Sequence, residues 1–107
     1  MDALLKSRLA AWEEQIHKIN ASEVTFLGLE AVDKSLHAHL FLEAKGGTVA
    51  EREAKAYDNE EWRTFAKGLA EAKAVFNHDR RLLELRQKEL EAEYLHLKQS
   101  HDFIKRN

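Results

Sequence analysis

At 107 residues, with 34% charged and 44% hydrophobic residues, the chain suits a single domain rich in long helix or coiled coil. The lack of any Cys excludes disulfides, thiol catalysis and thiolate metal sites, and the lack of Pro removes the strongest helix breaker. The net charge of −2 is unevenly placed: −2 over residues 1–47, −3 over 48–61 and +3 over 62–107, too mild a basic end to make nucleic-acid binding obvious from charge alone.

The first predicted element is a helix from about 2 to 45, starting near Asp2. Its apolar positions Leu5, Leu9, Trp12, Ile16 and Ile19 follow a 4-3-4-3 spacing, a narrow coiled-coil seam. Asn20-Ala21-Ser22 is a weak interruption, because Ser22 can cap a new helix. The pattern resumes at Phe26, Leu29, Val32, Leu36 and Leu40, so one bent helix is favoured over two. Lys45-Gly46-Gly47 is the stop, since Gly readily takes the left-handed conformation that ends helices. Residues 46–48 form the hinge. Thr48-Val49-Ala50-Glu51 then reads as a capping box that opens a short helix over 49–57. Asp58-Asn59-Glu60-Glu61 offers a further start, with Asp58 placed to accept the N–H of Glu61, for a long helix over about 59–104.

That last helix carries an apolar residue at every seventh position: Trp62, Leu69, Phe76, Leu83, Leu90, Leu97 and Ile104. Seven residues make two helical turns, so all seven share one stripe. Four residues after each come Ala66, Lys73, Arg80, Gln87, Tyr94 and His101, which leave that flank polar, while Val75, Leu82 and Leu85 widen the stripe on its other side. The fold expected is therefore all-α: one domain over 1–107, a long antiparallel helical hairpin with heptad stripes. Two helices bury little surface, so the stripe is also expected to mediate self-association, giving a homo-oligomer.

Chemistry-bearing patterns are sparse. Glu14/His17 and Glu93/His96 have the Glu-x-x-His spacing used in di-iron bundles, but the register points Glu14 and His17 away from the core and leaves Glu93 and His96 flanking the Leu90/Leu97 stripe, not joining it. His37 and His39 diverge on a helix and cannot share a metal. There is no phosphate-binding glycine loop and no Ser-His-Asp pattern. No enzymatic activity and no cofactor are expected. One functional pattern remains: Lys73, Arg80 and Gln87 share a helix face that continues into Tyr94, with Arg81 beside it. Cations running into an aromatic suit single-stranded nucleic acid, the cations meeting phosphates and the Tyr a base. Glu84 and Glu91, one turn on, partly neutralise the row. No 18-residue apolar run is present to cross a membrane, and Met1–Lys6 shows no basic region leading into an apolar run, so a cytoplasmic protein is expected.

The hinge reads Gly46-Gly47-Thr48-Val49-Ala50-Glu51-Arg52-Glu53-Ala54-Lys55-Ala56, and a helix containing Leu69-Ala70-Glu71-Ala72 follows. This resembles small helical proteins of phages and prophages, often encoded beside single-strand annealing recombinases. More loosely, it is similar to the phage recombination mediator that helps load a strand-exchange protein onto single-stranded DNA. The resemblance implies a non-enzymatic accessory protein for DNA recombination or replication, binding single-stranded DNA or a recombinase. The ending, His101-Asp102-Phe103-Ile104-Lys105-Arg106-Asn107, departs from the family pattern. The alternative is a coiled-coil adaptor or inhibitor that binds protein through its apolar seam and makes no nucleic-acid contact. Within the hinge, Arg52 has a structural role as its simplest reading, pairing with a nearby acid.

Overall fold

The computed structural model describes residues 2–106, and the side chains of residues 2–101. It is an all-α hairpin: α1 spans Ala3–Glu43, α2 Val49–Tyr57 and α3 Glu60–Arg106, with no strand among the described residues. Asp2 starts α1, its carboxylate accepting the N–H of Leu4 at 2.8 Å and of Leu5 at 3.1 Å. α1 then runs through Asn20-Ala21-Ser22 without a break. Ile19, Ser22 and Phe26 there are all partly covered, so packing of this face holds the helical register across a locally weak sequence.

The chain leaves α1 through Gly46, whose φ of 145° is one that a side chain would strain. Thr48 caps α2, its Oγ1 accepting the N–H of Glu51 at 3.1 Å. The cap of α3 is not the expected one. Asn59 Oδ1 accepts the N–H of Glu61 at 2.8 Å. Asp58 instead closes α2, its N–H bonding Ala54 O at 3.0 Å, and its carboxylate receives Arg63. With α3 beginning at Glu60, Asn59 is the residue immediately outside the helix, where a capping side chain reaches the second helical N–H.

The residues fall into two compact units, one of residues 22–76 and one of residues 1–21 with 77–107. In the 22–76 unit α1 and α3 lie antiparallel: Phe26 stacks on Phe76 at 5.7 Å between ring centroids, and His37 meets Trp62 at 5.4 Å. Its buried apolar residues are Leu40 and Ala56, at 2% and 1% exposure. Val32, expected in the seam, is exposed, and Asp33 takes the inward position. From Leu29 a step of four residues stays closer to the α1 stripe here than a step of three.

The other unit is also antiparallel but has a polar seam. Leu5, Leu9, Trp12, Ile16 and Ile19 are half-buried as the spacing predicts, as are Leu83, Leu90 and Leu97. The second row of α3 facing inward is Asp79, Arg86 and Glu93, three residues after the stripe positions Phe76, Leu83 and Leu90. Leu85 here and Val75 in the 22–76 unit, expected to widen the stripe, are instead about half exposed, and only Leu82 of the three is partly covered. Gln15, 4% exposed, donates from Nε2 to the carbonyl of Asp79 at 3.0 Å. Arg8 reaches Glu89 at 3.3 Å and Arg86 reaches the same carboxylate at 3.2 Å. Polar layers of this kind weaken a seam but fix its register.

Candidate interaction surfaces

The basic row is a surface feature. Lys73, Arg80, Arg81, Gln87 and Tyr94 are all exposed, Tyr94 at 61%. The heptad spacing explains this, because the row is displaced to the far side of the stripe from the inward row of Asp79, Arg86 and Glu93. Lys73 belongs to the 22–76 unit and the other four to the second unit. Of the two acids expected beside the row, Glu91 reaches it, accepting from Gln87 Nε2 at 3.2 Å. The unit holding Arg80, Arg81, Gln87 and Tyr94 has a formal charge of +1, and the 22–76 unit one of −3.

The apolar stripe has a different fate. Trp62, Leu69, Phe76, Leu83, Leu90 and Leu97 all face inward but remain only half-buried. The side chain of Ile104 lies outside the described residues. Two partly covered grooves result. One, of about 430 Å³ in the 22–76 unit, has Phe26, Trp62, Phe65, Ala66 and Leu69 on its walls, with Glu30 and Asp33 along α1 and Lys73 along α3. The other, of about 330 Å³, lies between Leu5 and Leu9 of α1 and Leu90, Glu91 and Tyr94 of α3.

One feature of the hinge region has no signature in the linear pattern, and a second differs in its partner from the expected one. His37, Tyr57 and Trp62 form a ring cluster, with His37 at 4.5 Å from Tyr57 and Tyr57 at 5.7 Å from Trp62. The His37 Nε2 atom is buried there without a hydrogen-bond partner among the described residues. Its neighbour His39 points elsewhere and pairs with Glu43 at 3.0 Å. The cluster joins residues from all three helices, so a one-dimensional reading finds only isolated aromatics. The second feature is Arg52. Its role is structural, but the partner is not an acid: Nε donates to Ala44 O at 3.2 Å, Nη2 to Phe41 O at 3.4 Å, and the guanidinium lies 4.7 Å from the Phe41 ring centroid. The carbonyls at the C-terminus of α1 have no helical donors left, and a cation suits their partial negative charge. Lys55 supplies a second such contact, donating to Lys45 O. The hinge motif thus builds the turn.

Glu14 and His17 are both exposed, Glu14 pairing with Lys18 at 3.4 Å; Glu93 is half-buried and His96 exposed. Among the described residues no group of three or more His, Asp or Glu is placed to hold a metal ion. Among the described residues no helix is long and apolar enough to cross a membrane. No family model, curated protein or solved structure matches this chain.

Proposed function

We propose that this chain is a non-enzymatic accessory protein of the kind found at phage recombination loci, acting by binding single-stranded DNA or a recombinase. The observation that carries the DNA contact is the exposed set Arg80, Arg81, Gln87 and Tyr94 on one continuous helix. The helix presents two adjacent cations to phosphates, the Gln87 amide two turns on from Arg80 and the Tyr94 ring two turns further, an aromatic face that accepts any base. The test is anisotropy of a labelled single-stranded oligonucleotide titrated with the protein at low and moderate salt. Saturable binding that weakens with salt is expected. The double variant Arg80→Glu with Arg81→Glu should bind at least about tenfold more weakly, with a shallower salt dependence, since each lost phosphate contact removes roughly 0.7 from the log–log slope.

A specific observation favours a second reading, a protein-binding adaptor or inhibitor. The stripe residues are half-covered, and the groove lined by Leu5, Leu9, Leu90 and Tyr94 is apolar except at Glu91. The formal charge of +1 on that unit offers little long-range attraction to a polyanion. No oligonucleotide binding at low salt, where attraction is strongest, would discard the DNA contact and leave the recombinase or another protein as the ligand.

A further inference from the structure

We propose that the groove between Leu5, Leu9 and Tyr94 takes one base of a bound single strand of DNA, and that the Glu91 carboxylate selects guanine there. The proposal rests on the reading that this chain binds single-stranded DNA, and it gives a role to the acid beside the basic row. Leu5 and Leu9 of α1 form one wall, Leu90 and Tyr94 of α3 the other, and Glu91 is the charged residue of the lining. All five belong to the unit that carries Arg80, Arg81 and Gln87. The volume, about 330 Å³, exceeds that of a purine. Aliphatic and aromatic walls suit the two faces of a base. Tyr94, 61% exposed, leaves its ring open to a base arriving from solvent.

Glu91 identifies the occupant. An apolar side chain of a partner would fill the groove but offer this carboxylate no donor, whereas the edge of a base carries donors. Gln87 Nε2 donates to Glu91 Oε1 at 3.2 Å, which holds the carboxylate on this face. An ionised carboxylate has about four acceptor positions on its two oxygens, so both oxygens can still accept. Guanine presents its N1–H and its N2 amino group side by side, two donors for two oxygens. Cytosine and adenine set a ring-nitrogen lone pair beside their amino group, and thymine flanks its one N–H with two carbonyls. Each of these three therefore turns a lone pair toward the carboxylate. Lys98 lies one turn beyond Tyr94 on the same face, about 6 Å along the axis, and is exposed. Its charge meets the phosphate beside the seated base and offsets the repulsion between that phosphate and Glu91.

Anisotropy titrations of the full chain at low salt test this with three labelled strands. One is all thymidine, the second carries isolated guanines, and the third carries inosine in place of each guanine. The guanine strand should bind about tenfold tighter than the thymidine strand, the discrimination of one bidentate contact. Inosine lacks the N2 amino group and should lose most of that gain. Glu91→Gln leaves a single acceptor oxygen and should bring the guanine and thymidine strands within about twofold of each other. Glu91 is exposed, so the change leaves the hairpin seam untouched, and far-UV circular dichroism checks that helicity is retained. Salt-sensitive binding that is equal for guanine and thymidine strands would overturn the base pocket and leave the DNA reading standing. A guanine preference that inosine or Glu91→Gln preserves would also overturn it, because the reader would lie elsewhere. No binding of any strand would remove the pocket and the DNA contact together.

Discussion

Leu40→Ala should lower the unfolding free energy by about 3 kcal/mol and the melting temperature by roughly 10–20 °C. Leu40 is the largest fully buried side chain among the described residues, at 2% exposure. Truncating it removes three carbons from the most completely desolvated site in the 22–76 unit and leaves a void that flanking helices cannot fill without moving. The comparison is Leu42→Ala, the same chemical change two residues away. Leu42 is 73% exposed, so its loss should stay within about 0.5 kcal/mol. Thermal melts followed by circular dichroism decide it. Equal shifts for the two variants would show that Leu40 is not where apolar burial is concentrated.

Arg52→Ala should release α2 while leaving α1 and α3 helical. The side chain makes two charge-assisted bonds to carbonyls and lies over the Phe41 ring, which together contribute on the order of 2 kcal/mol after allowance for partial exposure. α2 has nine residues, too few to persist as a helix without docking. Its own burial is confined to Ala56, a small side chain. Amide hydrogen exchange should therefore show faster exchange across 52–57, by about tenfold or more, with little change in α1 or α3 away from the hinge. Arg52→Lys keeps the charge but cannot form the two-pronged contact, so it should fall between. Unchanged protection of α2 in Arg52→Ala would mean that Ala56 and the Tyr57 ring hold it instead.

These contacts also show which features were legible beforehand. The hairpin, the stop at Gly46 and the cap at Thr48 follow from local chemistry, and each is present. The choice between Asp58 and Asn59 was not local. Both are good caps, and where α3 begins decides which one serves. Val32 and Asp33 differ in the same way, since apolarity alone favours Val32 but helix geometry turns Asp33 inward. Gln15 breaks no apolar spacing, so nothing in the pattern marks it as buried until Asp79 is placed opposite. The basic row was legible as an exposed face because heptad spacing fixes direction. The ion pairing of Arg8 and Arg86 with one Glu89 was not, as it depends on the register between helices.

The division of the chain has a kinetic consequence. One unit is the continuous run 22–76, whereas the other joins the two remaining pieces of chain. Ordering the second before the first means closing a loop of 55 residues, at an entropic cost of about 3.6 kcal/mol plus a constant. Ordering the first needs only the short connections around α2. The hairpin should thus nucleate at its turn and zip toward the free ends, with Leu40, Ala56 and the Arg52 contact formed in the transition state and the Arg8–Glu89 pair formed late. Destabilising Leu40 should slow folding, whereas breaking Arg8–Glu89 should chiefly speed unfolding. Stopped-flow rates for the two variants, if they showed the reverse, would place the nucleus at the chain ends.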